Sequence, residues 1–271
     1  MPKNIKLLVT RQFPRDVLAR CERDYDCTFN PPDTDWNGDD LVDQTQDHDA
    51  VFFSSGNKFT AEVIGALPDR VKVLSTFSVG HEHIDLAAAA ARNIVVTNTP
   101  DVLNAATADT AFMLLLCASK RAHEANAMVR NGDWIGWTPT QMLGVGIQGK
   151  RLAILGMGGI GREVAKRGRA FGMEVHYHNR RRLAPDLELE AVYHDSAESL
   201  LSAADFLSIN CPMTTEMMHF LNAERIGLMP DGAVVVNTAR GGLVDDTALL
   251  VRSNRGRSSP PAWMSSTVNR T

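Results

Sequence analysis

The stretch Gly156-Met157-Gly158-Gly159-Ile160-Gly161 follows the apolar run Leu152-Ala153-Ile154-Leu155 and precedes Glu163-Val164-Ala165-Lys166-Arg167. A strand therefore feeds through glycines into a helix. In that setting each glycine does something different. Gly156 permits a tight turn, Gly158 lets a pyrophosphate approach the backbone, and Gly161 lets helix and strand pack closely. The anion would rest on the unpaired N–H groups of Gly159, Ile160 and Gly161 at the positive end of the helix. The bland alternative is a glycine-rich turn that holds nothing.

The next strand, Glu174-Val175-His176-Tyr177-His178, ends at Asn179, 18 residues past Gly161. An NAD-binding unit usually has an acid here, to accept hydrogen bonds from the adenosine ribose. This chain has Asn179-Arg180-Arg181-Arg182 instead. An acid would repel a 2′-phosphate, whereas an amide can donate to it and guanidinium groups can pair with it. The turn thus favours NADP, with NAD possible. The alternative is a solvated basic turn, since three consecutive arginines cannot all address one phosphate.

The elements that must hold these groups are legible as well. A chain of 271 residues with 44% hydrophobic and 22% charged residues has enough for about two domains with sizeable cores. Its net charge of −4 gives no reason to expect a nucleic-acid partner. The start, Ile5-Lys6-Leu7-Leu8-Val9-Thr10-Arg11, turns polar too early for a secretory signal, and the apolar stretch Ala111–Ala118 is too short to cross a bilayer. Cys21, Cys27, Cys117 and Cys211 form no close metal-type pair. These features imply a reduced, cytoplasmic, soluble protein.

Short apolar strands at Ile5–Val9, Val51–Ser54, Val71–Phe77 and Ile94–Thr97 alternate with helical patterns at Arg15–Arg23, Ala61–Leu67 and Ile84–Arg92. That alternation predicts an α/β fold with a parallel sheet. After Asn98-Thr99-Pro100, apolar positions Ala108, Ala111, Phe112, Leu115 and Leu116 recur at helical spacing, predicting one long helix from Ala105 to about Val129 as a spine between two domains. Two further buried strands follow the glycine turn, within Ala204–Asn210 and Gly232–Asn237.

Several stretches together resemble the D-isomer-specific 2-hydroxyacid dehydrogenase family. They are Ser75 to Asp85, Val96-Thr97-Asn98-Thr99-Pro100, Ala105 to Asp109, the glycine motif, Asn210-Cys211-Pro212, and Asn237-Thr238-Ala239-Arg240-Gly241-Gly242-Leu243-Val244-Asp245. Trp137-Thr138-Pro139 and the Asn-Arg-Arg-Arg turn look most like the glyoxylate/hydroxypyruvate reductases, which use NADPH. The resemblance implies two Rossmann/flavodoxin-like doubly wound domains: residues 1–98 for substrate, 99–250 for dinucleotide, and an aberrant tail over 251–271. It implies hydride transfer to a small 2-oxo acid, a substrate that needs a cation for its carboxylate, donors for its carbonyl and a proton source.

Arg240 ends the strand Val234–Asn237, and its planar fork suits carboxylate and carbonyl together. By resemblance the N–H groups of Val79 and Gly80 hold the carboxylate, and Ser54 to Gly56 line the same substrate site. Thr107, Cys211, Pro212, Thr238 and Ala239 would line the nicotinamide and ribose. His81 and His83 read as solvated or site-lining residues, with a metal pair as the alternative and an acid-base role as a further one. His176 and His178 read as strand-face residues, Met217-Met218 as packing, and the loop of Trp134 and Trp137 as a contact to a second subunit by analogy.

The family's glutamate and its Pro-His-x-Gly histidine lie downstream of the arginine. This sequence has no Glu or His after Arg240 and ends in the Ser/Pro/Arg-rich text Arg252 to Thr271. Ala262–Thr271 can be back-translated so that the next frame, entered on the last base of the Pro261 codon, reads Gly-Leu-Asp-Val-Phe-Asp-Gly-Glu-Pro-Asn. That is how the family continues, with its glutamate at the position of Asn269. The expectation is a frameshifted tail that has lost the general acid and the last strand of the nucleotide sheet, leaving an exposed edge. A native Ser/Pro-rich tail is the alternative. Two functions follow: an impaired 2-oxo-acid reductase, or a dinucleotide-binding protein without turnover, like the corepressors of this fold. Sequencing the gene tests the frameshift: the shifted frame should run on to Pro-His-x-Gly, and a frame without it rules the idea out.

Overall fold

Both sheets are built from strands of two to five residues that are rich in Val, Leu, Ile and Phe, and all their pairings are parallel. The structure, a computed structural model, describes residues 4–255 and 263–265. Two units divide at Val102/Leu103.

The first unit runs β1 (Lys6–Val9), α1 (Arg15–Asp24), β2 (Asp26–Phe29), α2 (Gly38–Thr45), β3 (Ala50–Phe53), α3 (Ala61–Ala66), β4 (Val73–Thr76), α4 (Leu86–Ala91) and β5 (Val95–Thr97). Its strand order is β2-β1-β3-β4-β5, the flavodoxin-like order, whose switch point falls between β1 and β3. Leu8, Val51, Phe53 and Leu74 are fully buried on one face, and Leu7 and Val9 pack with Phe13 and Cys21 on the other. Thr60 and Asp85 cap α3 and α4 by accepting the N–H groups of Val63 and Ala88. The sequence reading missed β2 and α2. β2 is a half-exposed edge strand, and α2 has only Leu41 and Val42 as large apolar residues in eight positions.

The second unit runs α5 (Asn104–Ser119), α6 (Ala122–Arg130), β6 (Arg151–Leu155), α7 (Gly159–Ala170), β7 (Glu174–His178), β8 (Val192–Tyr193), α8 (Ala197–Ser202), β9 (Phe206–Ile209), α9 (Ala223–Leu228), β10 (Val234–Asn237), α10 (Asp246–Arg255) and β11 (Trp263–Ser265). The order β11-β10-β9-β6-β7-β8 is the doubly wound dinucleotide-fold order, with its switch point between β6 and β9. Helices cover both faces, so central strands are buried throughout. Arg167 anchors α5 to α7 through Asp109 and the Ala105 carbonyl.

Two expectations are corrected here. The single helix over 105–129 is two, broken at Lys120 and at Arg121, which takes a left-handed φ of 53°. The tertiary contact at the break is on Ser119, whose carbonyl accepts the N–H of Val145 (2.7 Å), where Gly144 packs directly against it. The second concerns the tail. Val235–Asn237 pair in parallel with Trp263–Ser265, so the outer edge of β10 is covered by a further short strand rather than left exposed. A backbone ladder needs no particular side chains, which is why a text without strand period can still pair. Asn269, where the shifted frame puts a glutamate, lies outside the described residues. Among the described residues no helix is long and apolar enough to cross a membrane.

A charged clamp joins β6 to the start of β9. Asp205 accepts the N–H of Arg151 (3.0 Å), its Nε (3.1 Å) and its Nη2 (3.0 Å). The guanidinium holds the Asp205 carboxyl below the usual aspartate range, so the clamp stabilises the fold above the unfolded carboxyl's pKa of about 4 and is lost as pH falls through the lower folded value. Asp205→Ala should cost about 1–3 kcal/mol in urea unfolding at pH 7, with a smaller penalty at pH 3. An equal penalty at both pH values would refute the ionic origin.

Candidate functional site

At the β6–β9 switch point the chain leaves β6 through Gly156, whose φ is 92°. A Cβ there would lie 2.7 Å from the amide nitrogen of Cys211 and 2.9 Å from its Cα, so both the conformation and the space demand glycine. The N–H of Gly156 donates to the His178 carbonyl (3.0 Å), and the N–H of Asn210 to the Leu155 carbonyl (2.8 Å), which holds the ends of β7, β6 and β9 level. Gly161 packs against the Gly156 carbonyl and Ile154, the close helix–strand approach expected of the third glycine. Gly158 is different: a Cβ there would meet nothing within 4 Å. Its side of the turn is open, and Gly159, Ile160 and Gly161 open α7 without intrahelical acceptors for their N–H groups.

A cavity of about 960 Å³ lies against this turn. From the sequence-based candidates it gathers Gly156, Gly158, Asn179, Arg180, Arg181, Cys211 and Pro212. Gly159, Ile160, Gly161, Thr107, Thr238, Ala239 and Arg240 are not among its lining residues. Gly159 instead faces Asn104, whose Nδ2 would lie 2.5 Å from an added Cβ. Thr107 sits on α5, half-buried.

Asn179 accepts the N–H of Met157 through Oδ1 (2.7 Å), which ties the end of β7 to the glycine turn and leaves its NH2 as the donor end. The three arginines divide. Arg182 pairs with Glu188 (2.7 and 3.1 Å) and lies over the Tyr193 ring, 5.4 Å from its centroid. Arg180 and Arg181 line the cavity. Glu216 lines it too; the Thr214 hydroxyl, its own backbone and, more weakly, Arg180 hold its carboxyl below the usual glutamate range. Burial pushes the Cys211 thiol up to about 11, so it stays a neutral thiol.

At the end of β10, the buried side chain of Asn237 spans its own loop: Oδ1 accepts the N–H of Ala239 (3.0 Å) and Nδ2 donates to the Arg240 carbonyl (2.8 Å). Arg240 is exposed just past the strand, with Nη1 donating to the Ala239 carbonyl (3.0 Å). Two polar atoms at these strand ends, Asn210 Oδ1 and Thr238 Oγ1, are buried with no hydrogen-bond partner. A dinucleotide, with its ribose hydroxyls and amide, would satisfy groups of this kind. With the open side of Gly158 and the uncapped start of α7, the residues present fit such a cofactor.

In the first unit, Ser54 and Gly56 follow β3 at that sheet's switch point. The Ser54 carbonyl accepts the N–H of Asn57 (3.0 Å), and the fully buried Asn57 side chain accepts from Thr10 Oγ1 (2.8 Å) and donates to the Trp36 carbonyl (2.9 Å). Val79 and Gly80 follow β4. There Thr99 N–H donates to the Ser78 carbonyl (3.0 Å) and Asn98 Nδ2 to the Val79 carbonyl (2.8 Å). In a trans peptide N–H points opposite C=O, so the N–H groups of Val79 and Gly80 are turned away from Thr99 and Asn98. Among the described residues neither N–H has a protein acceptor.

The sequence reading missed His178, Glu216, Met217 and Phe220, all of which line the cavity. His178 was readable as the last residue of β7, where a strand end meets the ligand side, and Met217 packs against the core as expected while also lining the cavity. His178 Nδ1 donates to the His194 carbonyl (2.9 Å), and His176 Nδ1 meets His194 Nε2 at 2.9 Å, so neither is a plain face residue. Glu216 and Phe220 sit in a loop whose path no local pattern foretells.

Comparison with known proteins agrees with this geometry. Residues 112–259 match the model of the D-isomer specific 2-hydroxyacid dehydrogenase, NAD binding domain. The chain is 39% identical over 238 residues to a glycerate dehydrogenase of Hyphomicrobium methylovorum, covering 87% of this chain and 74% of that protein. It is 38% identical over 242 residues to a glyoxylate reductase of Thermococcus litoralis, covering 87% of this chain and 72% of that one. A Polaromonas crystal structure described as a D-isomer specific 2-hydroxyacid dehydrogenase superposes with a TM-score of 0.88 at 42% identity, over 93% of this chain and 79% of that one. With two parallel-sheet units and an open glycine turn at the second switch point, the chain belongs to the NAD(P)-dependent D-isomer specific 2-hydroxyacid dehydrogenase family.

Proposed function

We propose that this chain binds NADPH and reduces glyoxylate or hydroxypyruvate, with turnover lowered by the lack of a general acid. The observation that carries the reading is the cavity rim: where β7 ends, an amide and two arginines, Arg180 and Arg181, line the cavity. Glu216 shares that rim, and the two guanidinium groups outweigh it for a 2′-phosphate. The cofactor supplies the hydride when bound. Gly156, Gly158 and the first amides of α7 take the pyrophosphate, with Asn179, Arg180 and Arg181 on the 2′-phosphate. Thr107, Cys211, Pro212, Thr238 and Ala239 border the nicotinamide half, and a neutral Cys211 adds no competing charge.

For the acid, the two unpaired N–H groups of Val79 and Gly80 form a nest suited to a carboxylate, beside Ser54 and Gly56 in the same unit. Arg240 supplies the cation that orients the acid and stabilises charge developing on its carbonyl oxygen. In this division residues 1–98 handle substrate and 99–250 the dinucleotide. The cysteines of the described residues are all free thiols, which fits a cytoplasmic setting.

The loop after α6 exposes Trp134, Trp137 and Ile135, the last at 97%. Such a patch fits a second copy of this chain. Light scattering should then give twice the 29.7 kDa chain mass, falling to the single mass in Ile135→Asp. A single mass for the unaltered chain overturns the dimer.

Cofactor choice is tested by titration. Arg180→Ala with Arg181→Ala should weaken NADPH binding about tenfold or more and spare NADH; equal losses refute the 2′-phosphate assignment. Turnover is tested by NADPH oxidation with glyoxylate, expected about 10²–10⁴ below a version carrying the family's Glu and His. Equal rates would show that another residue supplies the proton.

A further inference from the structure

Three hydrogen bonds run end to end beneath the loop that carries Val79 and Gly80. His83 Nε2 meets Thr76 Oγ1 at 2.9 Å, Thr76 Oγ1 meets Ser78 Oγ at 2.8 Å, and Ser78 Oγ meets the Gly80 carbonyl at 2.7 Å. The direction of the chain follows from counting hydrogens, because each hydroxyl has one to give. A carbonyl can only accept, so Ser78 spends its hydrogen on Gly80. Thr76 must then donate to Ser78, which leaves Thr76 as acceptor toward the ring. His83 therefore carries its proton on Nε2.

We propose that His83 is a positioning residue: as the Nε2–H tautomer it drives a one-way hydrogen-bond chain through Thr76 and Ser78 that fixes the Gly80–His81 peptide, the third plane of the loop that carries the Val79–Gly80 nest. This rests on the carboxylate reading of that nest given above. The ring is well placed to be the fixed end. It packs edge-on against Phe53 (5.7 Å, 76°), itself fully buried, while the His83 carbonyl accepts the N–H of Phe59 (2.8 Å). Thr76 is 1% exposed, so its hydroxyl has no water to fall back on. At the other end, the chain holds the third of three successive carbonyls: Thr99 takes that of Ser78, Asn98 that of Val79, and Ser78 that of Gly80. The first two of these set the planes that carry the N–H groups of Val79 and Gly80, and the third sets the Gly80–His81 plane, so the loop cannot turn about Gly80 and the two N–H groups stay aimed at an anion.

The test uses the full chain and two independent readouts. Long-range 1H–15N spectra, with His83 assigned by its loss in His83→Gln, should show the Nε2–H tautomer; an Nδ1–H tautomer overturns the chain's direction. Thr76→Val keeps the shape and removes the hydroxyl, and Ser78→Ala breaks the next link at a half-buried site. Both should weaken binding of oxalate, a non-reacting analogue of a 2-oxo acid, about fivefold in calorimetry, while Thr76→Ser stays within about twofold of the unaltered chain. NADPH affinity should be unchanged in all three. Unaltered oxalate affinity in Thr76→Val and Ser78→Ala overturns the positioning role. Failure of the unaltered chain to bind oxalate would refute the carboxylate reading of the nest, with the tautomer still deciding the chain's direction.

Discussion

A side chain on Gly156 would collide with the backbone of Cys211, and much of the second unit is arranged around that collision being avoided. Because the turn out of β6 runs against the first residues beyond β9, no side chain fits at Gly156, and its φ of 92° suits glycine alone. The turn can then bend sharply enough for α7 to start with its amide ends facing outward. Gly161 keeps α7 pressed to β6, and Asn179 ties the end of β7 to the same turn through the Met157 N–H. Three strand ends thus meet at one point with their polar groups directed into a cavity. An uncapped helix start of this kind is costly in isolation and becomes useful when an anion completes it.

The first unit solves a related problem without a helix end. After β4 its loop ties each of three successive carbonyls to a different donor: a backbone amide, an asparagine and a serine hydroxyl. The opposite edges of those peptides are left free. Both units therefore leave backbone N–H groups without protein acceptors among the described residues, one at the start of a helix and the other by tying up the carbonyls of the same loop.

Charge enters at the rims. Of three adjacent arginines, Arg182 is diverted to Glu188 and Tyr193, where it closes the loop after β7, while Arg180 and Arg181 line the cavity. A polar turn of this kind is ambiguous until its neighbours are known. Glu188 is nearly buried and receives both Arg182 and the Tyr177 hydroxyl, so it takes Arg182 out of the set of arginines that line the cavity.

The sequence by itself determined what depends on neighbours along the chain: the alternation of strands and helices, the strand–glycine–helix unit, the missing acid after β7, and the family resemblance carried by Arg240 and its flanks. Tertiary structure decided what depends on residues far apart. At the helix break at Lys120-Arg121, Val145 and Gly144 dock on Ser119, and no local propensity encodes that contact. The pairing of Trp263–Ser265 with β10 rests on backbone groups that every residue but proline carries, so its side-chain pattern could not announce it. His83 and Thr76 are seven residues apart on different elements, and only the fold brings ring nitrogen and hydroxyl to 2.9 Å. Periodicity reports which face of an element is apolar; it is silent on which distant donor will meet which acceptor, and the glycine turn and the loop after β4 are built from contacts of that second kind.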